Sequence, residues 1–246
     1  MPELSVLIPV YNEERTLERL LAAVDERPEV SEIIIVDDGS TDSTREILER
    51  HEFQHKVQVI RHDRNRGKGA AVRSAIAAAS GEYAIIQDAD LEYDPAELAS
   101  LLAPIERGRA QVVYGSRSFA AHSAYSFWFV IGNKLVTLWT NVLFNCYLSD
   151  METCYKLMPL SVWRSLRLSS NGFDIEPEIT AKLLRDGHRI YEVPISYAAR
   201  GRVEGKKLTW RDGLIALWTL SRVRTLPRRR PRTGEKRASE DRARAQ

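Results

Sequence analysis

Cysteine is scarce in this 246-residue chain: Cys146 and Cys154 are the only two, and they form no Cys-x-x-Cys. A disulfide framework is therefore excluded, and a reduced, cytoplasmic pair is the expectation. The five histidines show no metal-ligand spacing and are assigned no role. Long apolar runs are also missing. From Phe119 to Ser149 the one fully charged residue is Lys134, but His122, Asn133, Asn141 and Asn145 interrupt the stretch. No run of about 20 clean apolar residues remains for a membrane-spanning helix. Met1-Pro2-Glu3 leads straight into a strand pattern, with no positively charged, apolar export signal. The whole chain has little excess charge, at +2, but that charge is unevenly spread. Residues 222–246 hold ten Lys/Arg against three Asp/Glu, which leaves the first 221 residues at −5.

What the chain does have is a regular alternation of strand and helix patterns, each strand ending in a polar loop. Leu4 to Pro9 is apolar and β-prone and runs into Tyr11-Asn12-Glu13; Glu14 to Val24 then carries Leu17, Leu20, Leu21 and Val24 at helical spacing. Glu32 to Val36 is a second strand, ending in Asp37-Asp38-Gly39-Ser40, where Ser40 or Thr41 is expected to cap the helix through Ile47 and Leu48. Val57 to Ile60 leads to Asn65-Arg66-Gly67-Lys68-Gly69 and an Ala-rich helix to about Ala79. A fourth strand, Tyr83 to Ile86, delivers Gln87-Asp88-Ala89-Asp90-Leu91-Glu92, and a fifth, Gln111 to Tyr114, ends in Gly115-Ser116-Arg117. The alternation predicts an α/β fold with a mostly parallel sheet and helices on both faces. Ligands of such sheets bind outside the carboxyl ends of the strands, so these loops are expected to converge on one edge.

Two carboxylates one residue apart at a strand tip can share a hard divalent cation and leave room for phosphate oxygens. Asp88 and Asp90 have that spacing, but solvated carboxylates at strand ends are common and the pair alone does not decide the matter. Lys68 lies in a glycine-flanked loop opening a helix, where exposed N–H groups and a cation favour anions. The spacing of a Walker loop is missing.

Taken in order, Val6-Leu7-Ile8-Pro9-Val10-Tyr11-Asn12-Glu13, Val36-Asp37-Asp38-Gly39-Ser40-Thr41-Asp42, Asn65-x-Gly67-Lys68-Gly69 and Asp88-x-Asp90 resemble family 2 glycosyltransferases of the GT-A (Rossmann-like) fold. Within that family the resemblance, over roughly residues 4 to 212, is to the dolichol-phosphate or polyprenyl-phosphate mannosyltransferase branch. It implies that Pro9, Tyr11 and Glu13 form the base-binding loop, a Glu carboxylate being able to accept from a guanine or uracil edge. Asp37 and Asp38 would anchor the nucleoside and Lys68 the phosphates, while Asp88, Ala89 and Asp90 would complete the nucleotide-sugar site. Asp88 and Asp90 would hold Mg²⁺ or Mn²⁺ on the donor diphosphate. Glu92 stands where relatives often place an amide-type third ligand; a carboxylate there leaves metal preference open. Arg117, at the next strand tip, would neutralise phosphate with its planar fork.

In the second half, Asp150, Thr153, Tyr155 and Lys156 match the branch's Asp-x-x-Thr/Ser-Gly-aromatic-Lys/Arg stretch, with Cys154 replacing the usual Gly. Arg200-Gly201-Arg202-Val203-Glu204-Gly205-Lys206-Lys207 looks like its Arg-x-x-Gly-x-Ser-Lys segment, with Lys206 where Ser is usual. A phosphate monoester carries about −1.5 to −2 charges near neutral pH and needs cations rather than a base. Arg117, Lys156, Arg200, Lys206 and Lys207 would supply them. Asp90, Arg117, Asp150 and Lys156 are the expected catalytic group, with Asp150 the base candidate for a hydroxyl acceptor. The Gln-x-x-Arg-Trp signature of processive polysaccharide synthases is absent, which counts against a polymerising enzyme.

Read as a helix, residues 134–146 put Leu135, Leu138, Trp139, Val142 and Cys146 on one stripe and Lys134, Thr137, Asn141 and Asn145 on another. Such a helix either closes the acceptor side of the core or lies at a membrane interface. Thr209 to Val223 repeats the theme with Trp210, Leu214, Leu217 and Trp218. The basic tail, 222–246, cannot form a core and is expected to be disordered and attracted to an anionic membrane surface. No aromatic interleaves its arginines, so nucleic acid is not the expected partner. The expectation is one catalytic domain over 1–221, with a nucleotide-sugar half to about 117 and an acceptor half after it. Its expected reaction is metal-dependent, inverting transfer of a hexose from a nucleotide diphosphate sugar, GDP-mannose in first place, to a polyprenyl or dolichyl phosphate at the cytoplasmic membrane face. UDP-glucose or UDP-N-acetylglucosamine as donor, a soluble hydroxyl acceptor, and a non-catalytic nucleotide-sugar-binding scaffold are the alternatives.

Overall fold

Apolar runs with no polar alternation become strands only where both faces of a sheet are covered, and β1 (Leu4–Val10), β2 (Val30–Asp37), β4 (Tyr83–Ile86) and β5 (Val112–Ser116) are almost wholly buried. The computed structural model describes residues 2–117, 127–198 and 210–227. With β3 (Lys56–Arg61), β6 (Lys156–Pro159) and β7 (Ile190–Pro194) the strands form one sheet in the order β3-β2-β1-β4-β6-β5-β7. β3 and β7 are the edges, and both are partly exposed along their length. Every pairing is parallel except those of β6, which runs antiparallel to β4 and β5. That reversal positions the site. It brings the N-terminal end of β6, and the Asp150–Tyr155 segment before it, to the edge where β1, β2, β4 and β5 end.

The helices are α1 (Leu17–Asp25), α2 (Thr44–Arg50), α3 (Lys68–Ala78), α4 (Leu98–Glu106), α5 (Phe127–Phe144), α6 (Leu160–Ser165), α7 (Ile175–Asp186) and α8 (Trp210–Thr225). The helical stripe Leu17, Leu20, Leu21 and Val24 is fully buried against the sheet core. α2 begins at Thr44, later than a cap at Ser40 or Thr41 would place it. Those two residues are engaged elsewhere: Ser40 Oγ accepts the Asn12 N–H at 3.0 Å, and the Thr41 N–H donates to Asn12 Oδ1 at 2.8 Å. Asp42 Oδ1 takes the Thr44 N–H instead, at 3.0 Å.

α5 already includes Phe127, seven residues ahead of the expected stretch, and the sequence between is mostly apolar. A second small core lies where α5, α7 and α8 meet, built from Val136, Ala181, Ala216, Leu220 and Val223 with Met151. Ala216, Leu220 and Val223 carry the helical spacing on, so α8 continues to Thr225 and the boundary expected at 222 falls inside it. The outer faces of these helices remain uncovered: Phe127, Trp128, Leu135, Leu138 and Val142 of α5 and Leu214 and Trp218 of α8 are each at least 57 % exposed. Among the described residues, no helix is long and apolar enough to cross a membrane.

Candidate active site

The loop after β2 is tied to the loop after β3 through Asp38. Its carboxylate accepts the Gly67 N–H at 2.7 Å and the Arg66 N–H at 3.0 Å, and meets His62 Nδ1 at 2.6 Å, with His62 Nε2 2.9 Å from Ser74 Oγ. Asp38 is buried and spends its oxygens on this clamp, so as it stands it orders the site rather than presenting a free acid. Asp37 Oδ1 accepts the Ser40 N–H at 2.9 Å. Gly67 sits at φ +94°, and a side chain there would meet the Asn171 backbone. The Asn171 carbonyl accepts the Ala70 N–H at 3.3 Å, so the 170–171 segment covers part of the α3 start that was expected to face phosphate.

Lys68 is already paired. Its Nζ lies 2.7 and 2.9 Å from the two oxygens of Asp88 and 3.3 Å from Glu176 Oε1. Burial alone would lower its pKa, but Asp88, Cys154 and Glu176 outweigh this and hold it well above the usual lysine range. Lys156 corrects the sequence expectation. Its Nζ is fully buried, bonded to the Met151 and Thr153 carbonyls and to Glu176 Oε2 at 2.6 Å, so it cannot dock an acceptor phosphate. Asp88, Lys68, Glu176 and Lys156 thus form one line of alternating charge from the sheet edge into the core.

Asp88 and Asp90 follow β4 with Ala89 between them, and both are partly exposed. Asp90 Oδ1 accepts the Glu92 N–H at 3.1 Å, and Glu92 Oε2 accepts the Tyr197 hydroxyl at 2.6 Å. Glu92 is thereby drawn toward the β7 side, and among the described residues no three His, Cys, Asp or Glu side chains gather as a ready-made metal cage. Two carboxylates without a cage are what a hydrated Mg²⁺ or Mn²⁺ bridging to substrate phosphates uses. The Ala89 carbonyl accepts the Thr16 hydroxyl at 2.8 Å, and Thr16 Oγ is also 3.2 Å from Glu13 Oε2, which fastens the first loop to the fourth. Pro9 and Tyr11 are partly exposed on that same loop.

Arg117 and Asp150 form a fork. Nε donates to Oδ2 at 2.6 Å, Nη2 to Oδ1 at 2.7 Å, and the Arg117 N–H to Oδ2 at 3.1 Å, while Asn133 Nδ2 adds a bond at 3.3 Å. Burial opposes ionisation of Asp150, but Arg117 outweighs it and holds the carboxyl below its ordinary range. Asp150 is therefore the counter-ion of Arg117 and a poor general base. Glu192 of β7 accepts the Ser149 and Asp150 N–H groups and fixes this segment from below. Arg117 also lies 5.0 Å from the centre of the Tyr197 ring. Arg200, Lys206 and Lys207 lie outside the described residues.

Sequence reasoning gives His62, Glu176 and Glu152 no role; Asn171-Gly172-Phe173 and Glu176 to Glu178 resemble the family's helix start there and nothing more. Glu176 and Glu178 carried a signal as acids in the first turn of α7, but only the fold brings Glu176 to both lysines. Glu152 is a half-buried acid beside Asp150; burial and the charges of Glu176 and Asp150 raise its pKa to about 7, against the pull of Lys156 and Arg117.

The family model described as glycosyl transferase family 2 matches residues 5–157. The low-salt glycan biosynthesis hexosyltransferase Agl6 of Haloferax volcanii is 30 % identical over 206 residues, covering 81 % of this chain and 48 % of that protein. The dolichol-phosphate mannosyltransferase of Pyrococcus furiosus is 29 % identical over 212 residues, covering 83 % and 59 %. The chain thus spans about half the length of these curated relatives. A crystal structure of glucosyl-3-phosphoglycerate synthase from Mycobacterium tuberculosis, in complex with Mn²⁺, UDP and phosphoglyceric acid, superposes with a TM-score of 0.72 at 20 % identity, covering 95 % of this chain and 81 % of that one. The fold is the GT-A type, and the chain belongs to glycosyl transferase family 2.

Proposed function

We propose that this chain is a metal-dependent, inverting glycosyltransferase that moves a hexose from a nucleotide diphosphate sugar to a polyprenyl phosphate. The observation that carries the reading is the convergence of Asp88, Asp90, Lys68 and the Arg117–Asp150 fork on one sheet edge. Asp88 and Asp90 are the residues that would hold Mg²⁺ or Mn²⁺, which when bound neutralises charge on the departing nucleoside diphosphate. Asp37 and the Pro9–Glu13 loop flank the place for the nucleoside, with Asp38 and His62 keeping the neighbouring loop in register. Arg117, oriented by Asp150, offers its remaining N–H groups and ring-stacked face to a phosphate. The acceptor phosphate oxygen attacks the anomeric carbon from the face opposite the leaving group and inverts it.

The names of the Pyrococcus relative and of a dodecaprenyl-phosphate galacturonate synthase from Rhizobium johnstonii, 34 % identical over 123 residues, support a lipid-phosphate acceptor. So does the uncovered apolar face of α5 and α8, which suits the interface of a membrane. Arg222 and Arg224 at the end of α8, and the arginines that follow in the sequence, would meet anionic headgroups. GDP-mannose is the favoured donor. A second reading, UDP-glucose as donor and a soluble hydroxyl acceptor, takes its support from the ligands of the mycobacterial structure; the locking of Asp150 to Arg117 counts against it. Asp90→Ala tests the common core of both readings: transfer is lost with the fold retained, and undiminished turnover removes the cation site from the account.

A further inference from the structure

Glu176 Oε1 makes an ion pair with Lys68 but accepts no hydrogen bond. Oε2 takes the bond from Lys156 at 2.6 Å, but Oε1 is buried without a hydrogen-bond partner, although Lys68 Nζ stands only 3.3 Å away. The Lys68 ammonium is turned instead toward Asp88, 2.7 and 2.9 Å from its two oxygens. A buried carboxylate oxygen without a hydrogen bond is costly, and the ammonium 3.3 Å away, now bonded to Asp88, is the donor within reach to supply one. Asp88 is one of the two carboxylates that would receive a divalent cation, and an ammonium occupying both of its oxygens competes directly with that cation.

The geometry points to an exchange: when a divalent cation takes Asp88, Lys68 turns to Glu176 Oε1, and Glu176 is the positioning residue that receives it. The inference rests on the cation reading above. No covalent bond changes; one charge leaves Asp88 as another arrives. The move is short, because Lys68 already touches both partners, and Gly67 and Gly69 hold the start of α3 against Ser170 and Asn171, so the side chain alone has to turn. Glu176 keeps its bond to Lys156 throughout, which fixes the receiving oxygen in place. In both states Lys68 stays at the sheet edge, where a donor diphosphate would meet it.

The test is Mn²⁺ binding to the full chain without nucleotide, read by loss of the free-ion electron paramagnetic resonance signal. Lys68→Met is expected to tighten Mn²⁺ binding by about fivefold or more, since the competitor is gone. Glu176→Asp keeps a negative partner for Lys156 but draws the oxygen back from Lys68, and is expected to weaken Mn²⁺ binding several-fold in the wild-type background and not in Lys68→Met. Circular dichroism checks the fold of each variant. Unchanged or weaker binding in Lys68→Met overturns the exchange, as does an equal loss from Glu176→Asp in both backgrounds. Absence of Mn²⁺ binding by the wild-type chain overturns the cation reading and the exchange together, and is told apart from the first outcome by that control.

Discussion

Asp150 and Arg117 hold each other through two parallel bonds of 2.6 and 2.7 Å, and Asp150 is only 1 % exposed. Removing one partner of such a pair leaves a buried charge without compensation, whereas removing both does not. Asp150→Leu is therefore expected to cost about 3 kcal/mol of unfolding free energy. Arg117→Met combined with Asp150→Leu should cost clearly less than the sum of the two single changes. Urea denaturation of the four proteins checks this, and simple additivity would show that the fork carries no coupling.

Two glutamates contribute to the acid sensitivity of the fold. Burial works against ionisation of Glu32 and of Glu178, but Ser5, Ser80 and Gly81 bond to Glu32, and Lys182, Ser169 and Ser170 bond to Glu178, so both are held at about 2. A carboxyl depressed in the folded state contributes stability that is present above the unfolded value near 4.5 and lost as pH falls toward 2. Melting temperature should fall steeply across that window, and Glu178→Gln should flatten the fall while lowering stability at pH 7. The temperature series against pH for both proteins is the check.

Glu152 works in the opposite direction. Its carboxyl is raised to about 7, so its burial favours folding below the unfolded value near 4.5 and that contribution is lost as pH rises through 7. Glu152→Gln should leave stability at pH 4.5 nearly unchanged and raise it at pH 8 by on the order of 1 to 2 kcal/mol. Equal effects at both pH values would show that Glu152 titrates normally.

The strands and the loops at their tips were legible because the runs from Leu4, Glu32 and Tyr83 are short, apolar and closed by polar turns, and a parallel sheet gathers such turns on one edge. The fates of individual charges were not. Lys156 reads as an anion-binding cation, yet the antiparallel turn of β6 sends it inward to Glu176, a residue twenty positions away on another element. Asp150 reads as a base until Arg117 is placed against it. Glu92 reads as a third ligand until Tyr197, 105 residues on, takes its oxygen. In each case a long-range partner, invisible in the local pattern, sets the surroundings of the charge.

The uncovered face of α5 and α8 gives a prediction of its own. Trp218→Glu places a charge on a side chain that is 68 % exposed and lies outside both apolar clusters of the described residues, so melting temperature should change little. Binding to vesicles containing anionic lipid should weaken by about tenfold or more. Sedimentation with vesicles measures it, and unchanged binding would remove this face from the membrane account.

The central claim is tested most directly by radiolabelled sugar transfer with the purified protein and Mn²⁺ or Mg²⁺. GDP-mannose, UDP-glucose and UDP-N-acetylglucosamine are offered in parallel, each with a short-chain polyprenyl phosphate and with phosphoglyceric acid. The account predicts cation-dependent labelling of the polyprenyl phosphate from one donor, GDP-mannose in first place, and none of the soluble acid. Labelling of the soluble acid alone, or nucleotide-sugar binding with no transfer to either acceptor, would contradict it.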